Sequence, residues 1–182
     1  SKNHIIFIFT GGIYEERGII EAIKALNLIP EMNIKFLLYG QAEPKYLIKI
    51  RQEDNRGVVV YKGVFSYVEV LNEIRNADIG YICDYPLKRH MEGLPVKLFE
   101  YMAMGIPVIA SNFPSWNEIV RLSQCGLTVN PLSPQEIANA LKYLYENEDE
   151  RRRMGDNGKR AVLNQYNWEK ESEKLLMVYL KI

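Results

Sequence analysis

Cysteine is scarce in this chain. Cys83 and Cys125 are the only two among 182 residues, too few for a disulfide framework and without metal-like spacing. Each falls in an apolar stretch, where a buried thiol in a reducing compartment is the expected state. An excess of either charge is also missing: 23 Lys and Arg stand against 23 Asp and Glu, so there is no broad basic field of the kind that drives nucleic-acid binding. Long hydrophobic runs are absent. The stretch from His4 to Phe9 is too short for a membrane span or a signal core, and nothing else is longer and as apolar. The expectation is a soluble, cytoplasmic protein. The G-x-G-x-x-G dinucleotide fingerprint and the G-x-x-x-x-G-K-[ST] phosphate loop are both lacking, which counts against a dehydrogenase and an NTPase. There is no internal repeat, low-complexity tract or linker.

What is present reads as one compact domain over residues 1–182, a length that suits a single core. Apolar content of 47% and charged content of 25% are ordinary for a globular chain. Short apolar runs alternate with helical stripes. Strands are expected at Ile5–Thr10, Ile34–Tyr39, Val58–Tyr61, Ile79–Cys83, Pro107–Ala110 and Leu127–Val129, the first a short, continuous apolar stretch as in a strand buried on both faces. Helices are expected from about Arg17 to Pro30, over Pro44 to Asp54, from Ser66, from Pro95 to Gly105, from Ser115 and from Ser133. The last helix is expected from about Trp168 to Leu180. Ser66-Tyr-Val-Glu69, Ser115-Trp-Asn-Glu118 and Ser133-Pro-Gln-Glu136 have the form of capping boxes. Beyond Asn147 the pattern is charged and helical, with an expected break at Gly155 to Gly158. Strands alternating with helices predict an α/β, three-layer, doubly wound Rossmann-like domain. Its sheet is six-stranded and mainly parallel, with order 3-2-1-4-5-6 and a C-terminal helical extension. In that order the loops after strands one and four flank the crevice where ligands bind.

Glu100 is the most informative residue. The run Val96-Lys-Leu-Phe-Glu-Tyr-Met-Ala-Met104 is apolar on nearly every face, and a carboxylate inside it must find a partner. Either a Lys or Arg pairs with it, or a ligand does. Helical side chains lean toward the N-terminus, so Glu100 is expected to reach back to the helix mouth, near Glu92. Glu92 by itself also reads as an exposed loop acid. The helix start, Leu94 to Lys97, offers free backbone N–H groups and a positive dipole end, a ready phosphate site. Gly11 and Gly12 allow close backbone approach, and Arg17 can fork onto phosphate oxygens; a tight turn with a surface Arg is the alternative. Lys88-Arg89-His90, a short basic run beside Glu92, reads as a solvated loop, with help in holding a diphosphate or an acidic sugar as the alternative. Lys97 sits where a cation opposes the helix dipole, which a nearby anion or simple exposure would explain. Glu148-Asp-Glu150 followed by Arg151-Arg-Arg153 reads as a solvated face with same-helix ion pairs.

The segment Glu92-Gly-Leu-Pro-Val-Lys-Leu-Phe-Glu100-Tyr-Met-Ala-Met-Gly-Ile-Pro-Val-Ile-Ala-Ser111 resembles the E-x7-E signature of retaining glycosyltransferases with the GT-B fold, especially glycosyltransferase family 4. Phe9 to Gly18 looks like that family's first glycine loop, Tyr61 to Ser66 like its third strand and turn, and Tyr166-Asn-Trp168 like the aromatic signature before its last helix. The resemblance implies that Glu100 binds the ribose of a nucleotide sugar and Glu92 contacts the donor sugar. It implies backbone from Leu94 to Val96 on the diphosphate, and Gly63 to Phe65, with Val64 between them, against the base. The implied catalytic residues are Glu92 and Arg17. The implied donor-binding residues are Gly11, Gly12, Arg17, Val64, Glu92, Gly93, Leu94, Val96, Lys97 and Glu100.

The chain departs from the family in having Gly12 where an Arg is usual and Arg17 near the place of a Lys, with Lys97 or Lys88-Arg89 available to compensate. Gly93-Leu-Pro also replaces the commoner Gly-Phe-Gly. The implied activity is hexosyl transfer from a UDP- or GDP-sugar, without metal or other cofactor, in polysaccharide or glycoconjugate biosynthesis. A degenerate, non-catalytic donor domain serving as a binding module, and a sugar-nucleotide epimerase, are the alternatives. The chain starts at Ser1 without an initiator Met, compatible with the C-terminal half of a two-domain enzyme. The acceptor glycan or glycolipid, and any contact with the inner face of a membrane, would then belong to the other half. Residues 168–181 would form a terminal helix toward that half, and the chain alone would bind donor weakly and transfer nothing. No nucleic-acid partner is expected.

Overall fold

The structure, a computed structural model, describes residues 4–167 together with Lys170 and Ser172. Six strands, β1 (Ile5–Thr10), β2 (Ile34–Tyr39), β3 (Val59–Gly63), β4 (Ile79–Ile82), β5 (Val108–Ser111) and β6 (Gly126–Val129), form one sheet in the order β3-β2-β1-β4-β5-β6. Every strand pair is parallel. The order reverses between β1 and β4, as expected from the sequence.

Alternation along β1 explains the layers, because successive side chains point to opposite faces of a strand. Phe7 and Phe9 pack with α1 (Ile19–Asn27), α2 (Pro44–Glu53) and α7 (Pro134–Glu146). Ile8 faces the other side, with α3 (Tyr67–Asn76), α5 (Val96–Met104) and α6 (Pro114–Ser123). Each fully buried Phe or Ile of these layers contributes about 1.5 to 3 kcal/mol relative to exposure. Two further helices complete the described fold: α4 (Lys88–Glu92) and α8 (Glu148–Asn164). The expected terminal helix lies outside the described residues apart from Lys170 and Ser172.

Several local expectations need correction. The first helix does not run from Arg17: a single 3-10 turn, Glu15–Arg17, is followed by Gly18 at φ 62°, and α1 starts at Ile19. The residues before Glu92, expected as a loop, form α4. Of the three boxes only the first is complete, with Ser66 accepting from Glu69 N–H and Glu69 accepting from Ser66 N–H at 2.9 Å. In α7, Ser133 Oγ accepts from Glu136 N–H at 3.2 Å, but the Glu136 carboxylate takes Asn130 N–H instead. The box at Ser115 does not form, because Pro114 already fits the first helical position and α6 begins there, capped by Phe113. Ser115 is left inside the first turn with a buried, unpartnered Oγ.

Gly155 and Gly158 do not break the chain. A Cβ on Gly155 would lie 2.1 Å from Gly105 O, and one on Gly158 would lie 3.2 Å from Met102 Cα. These glycines let α8 lie directly on the end of α5, a close approach that only a missing side chain allows. Seen along the sequence, the same residues look like punctuation.

Candidate functional site

The crevice outside the C-terminal ends of β1 and β4 is built around α5. Gly105, at φ 76°, ends that helix in the left-handed conformation, and Pro95 precedes it in extended backbone. Leu98 N–H bonds back to Pro95 O at 3.0 Å, so the N–H groups of Val96 and Lys97 have no acceptor within the helix. Leu98, Tyr101 and Met102 anchor α5 in the core. The Tyr101 hydroxyl lies 3.1 Å from both the backbone N and the Oγ1 of Thr10. That contact ties the glycine loop after β1 to the helix that carries Glu100.

Gly11 lies at φ 117° and Gly40 at φ 138°, and a Cβ on Gly40 would sit 1.9 Å from Gly11 O. Two loops therefore meet backbone to backbone, and the floor of the crevice is free of side chains there. A cavity of about 520 Å³ opens over it. Thr10, Gly11 and Arg17 line one end, and Tyr39, Val64, Phe65 and Tyr67 line the other. Pro95, Val96, Lys97 and Glu100 form the wall contributed by α5. Tyr39 and Phe65 meet edge to face with centroids 5.4 Å apart, an apolar end suited to a flat ring.

Glu100 is partly buried and forms no ion pair among the described residues. Its protein partner is Tyr67, whose hydroxyl is held above its ordinary range first by partial burial and then by the hydrogen bond to Glu100. The carboxylate thus keeps acceptor capacity directed at the cavity. Arg17 is paired with Asp84, a carboxylate only 2% exposed that follows β4. Arg17 Nε and Asp84 Oδ1 remain buried without partners. Lys97 reaches over the Phe9 ring with Nζ 4.3 Å from the centroid. Burial, chiefly, pulls its ammonium down to about 8, with Arg17 adding to the fall and Asp84 and Glu100 opposing it.

A smaller pocket of about 160 Å³ adjoins, sharing Arg17 and Pro95 with the cavity and lined also by Asp84, Arg89, His90, Gly93, Leu94 and Trp116. Trp116 Nε1 donates to Gly93 O at 2.7 Å and fixes that loop. A third hollow, about 560 Å³ between the 3-10 turn and α2, is slightly larger. There the acids and lysines are surface groups, with Lys49 paired to Glu15 at 2.6 Å, and neither Gly11, Arg17, Lys97 nor Glu100 lines the hollow.

Of the residues singled out in the sequence, Gly11, Arg17, Val64, Val96, Lys97 and Glu100 line the cavity, and Gly93 and Leu94 line the pocket beside it. Gly12 lines neither: a Cβ there would fall 2.3 Å from the Tyr14 ring, which covers the position. Glu92 ends α4 with its side chain 68% exposed, 3.9 Å from Lys88 Nζ, and lines neither space. Arg89 pairs with Glu16 at 2.9 Å. Phe65, implied by the resemblance to lie against the base, lines the cavity, whereas Asp84, Tyr39 and Tyr67 were not singled out as ligand groups. A carboxylate directly after a buried strand on the crevice side was the available signal for Asp84.

Residues 1–161 match the family model described as glycosyl transferases group 1. The chain is 25% identical over 190 residues to the capsular polysaccharide biosynthesis glycosyltransferase CapM of Staphylococcus aureus, covering 99% of this chain and 48% of CapM. The C-terminal domain of a glycosyl transferase group 1 family protein, LpcC from Francisella tularensis, superposes with a TM-score of 0.75 at 26% identity, covering 91% of this chain and 87% of that one. Anabaena HepE, solved in complex with UDP, shares the fold at a TM-score of 0.84 and 17% identity, over 99% of this chain and 50% of that one. The chain spans about half the length of the curated relatives it matches. With the sheet order, the glycine loop and the Glu100 helix arranged as above, the family match settles kinship: this chain belongs to the glycosyl transferases group 1 family and has the fold of its C-terminal GT-B domain.

Proposed function

We propose that this chain is the donor-binding half of a retaining, metal-independent glycosyltransferase that takes a nucleoside-diphosphate sugar. One observation carries the reading: Glu100, inside a helix that is apolar apart from Lys97, forms no ion pair among the described residues and faces a cavity. A ribose diol donates two hydrogen bonds to such a carboxylate. The flat apolar end at Tyr39, Val64 and Phe65 receives the base, UDP- or GDP-linked. Gly11, Arg17, Lys97 and the N–H groups at the start of α5 receive the diphosphate, with the helix dipole aiding them. The sugar then lies beyond Arg17, against Gly93 and Leu94 in the smaller pocket. Glu92 joins it if the α4 end turns inward when the other half of the protein closes.

In this reading the nucleoside diphosphate leaves with its developing charge met by Arg17, Lys97 and the α5 N-terminus, so no metal is required. The likeness to CapM supports a role in polysaccharide or glycoconjugate assembly, and the UDP held by HepE supports the ligand class. Acceptor binding, and residues 168–181 as a link toward it, belong to the proposed two-domain whole. Titration of the chain with UDP and GDP, followed by NMR or calorimetry, tests the reading. Binding in the micromolar to millimolar range is expected. A folded sample that binds neither at millimolar ligand overturns it.

A further inference from the structure

The phosphate end of the cavity has an unusual distribution of charge. The position after Gly11 has no side chain, and the Tyr14 ring covers it. Arg17 is already neutralised by Asp84. Lys88 and Arg89 pair with Glu92 and Glu16 on the surface. Lys97 is different: among the described residues it has no ion pair, and its ammonium rests on the face of Phe9 beside Gly11. It also stands in the first turn of α5, where the dipole repels a cation. The Phe9 face attracts the ammonium, but burial, the helix N-terminus and the neighbouring guanidinium oppose its charge until an anion arrives.

We infer that Lys97, on the helix of Glu100, supplies the diphosphate-binding cation missing from the glycine loop, and that in alkaline solution it takes up a proton from solvent as the donor binds. This rests on the reading of the cavity as a nucleotide-sugar site. The charged groups facing Lys97 are Arg17 on the 3-10 turn, Asp84 after β4 and Glu100 on its own helix. The two acids favour the ammonium, and Arg17 and burial oppose it. In the empty site the balance leaves Lys97 titrating at about 8. A diphosphate alongside raises that value, because an opposite charge within a few ångströms favours the charged form. The sign follows. Below pH 8 the ammonium is present in both states and affinity is flat. Above it, binding must bring a proton from bulk solvent onto the Nζ lone pair, and affinity falls by up to tenfold per pH unit.

Calorimetry of the chain with UDP tests this, at pH 7 and pH 9, in buffers of different ionisation heat. The expected result is roughly tenfold weaker binding at pH 9, with about 0.9 proton taken up per UDP. Lys97→Arg should bind with a flat profile and no uptake, since a guanidinium stays charged. Lys97→Met should bind UDP about tenfold more weakly at pH 7 yet match the wild type for uridine, which lacks phosphate. Equal affinity of the wild type at both pH values without proton uptake overturns the inference and leaves the proposed function standing. So does a pH slope that persists in Lys97→Arg. A wild type that binds neither UDP nor GDP overturns both.

Discussion

Helix α5 has two sides of opposite character. Toward α8 it is packed until backbone meets backbone, with Gly155 against Gly105 and Gly158 against Met102. Toward the crevice it presents Lys97 and Glu100, two charged side chains that form no ion pair among the described residues. One side is optimised for the folded chain alone, the other for the chain with something bound. Substitutions on the two sides should therefore separate cleanly: the packed side affects stability, the open side affects affinity, and the open side is a place where stability can be gained by giving up function.

The largest effect is expected at Glu100. Glu100→Ala removes charge-assisted hydrogen bonds and should weaken UDP or GDP binding by roughly 2 to 3 kcal/mol, about 30- to 150-fold, with little change in urea unfolding. A large loss of stability instead would show that Glu100 is structural and dissolve the contrast. On the packed side, Gly155→Ala places a methyl group into Gly105 O. It should cost about 2 kcal/mol of stability in denaturant melts despite the better helix propensity of Ala, while affinity of the folded fraction stays unchanged.

Lys97→Met sharpens the comparison, because it should stabilise the empty domain. The lysine's fall from 10.5 to about 8 is worth at most ~3 kcal/mol, and partial exposure brings the expected gain to about 1 to 2 kcal/mol. The sign also gives a pH dependence. The unfolded chain holds the Lys97 proton up to its higher pKa, so between pH 8 and 10.5 the unfolded state binds more protons, and stability from this group rises with pH. Urea midpoints of the wild type against Lys97→Met across that window check it, and a constant difference would refute it. The smallest effects are at the caps. Ser66→Ala should cost about 1 kcal/mol, whereas Ser115→Ala should change stability by less than about 0.5 kcal/mol, since its Oγ caps nothing.

The strands were legible because strands within a covered parallel sheet are short, predominantly apolar runs, unbroken in β1 and interrupted in β2 only by the exposed Lys35. Ile5–Thr10 and Ile34–Tyr39 end where the sequence places them. The cap at Ser115 was misread because a capping box and the proline immediately before it compete for the same helix start, and the proline won. Gly155 was misread because a breaker and a close packing contact look alike until the partner helix is known. Glu100 and Arg17 stood out through their local surroundings. Asp84 did not, since its partner lies 67 residues away and only the β1–β4 adjacency brings the two together.

The sequence by itself determined the layered α/β class, the strand order through right-handed crossovers, and a carboxylate stranded in an apolar helix. These follow from local periodicity and the handedness of L-residues. The tertiary structure alone decided which cations remain unpaired. Arg17 is taken by Asp84, Lys88 and Arg89 by surface acids, and Lys97 is left over an aromatic ring at the mouth of α5. Ion pairing depends on distances of a few ångströms between segments remote in the chain, and no pattern along the sequence encodes those.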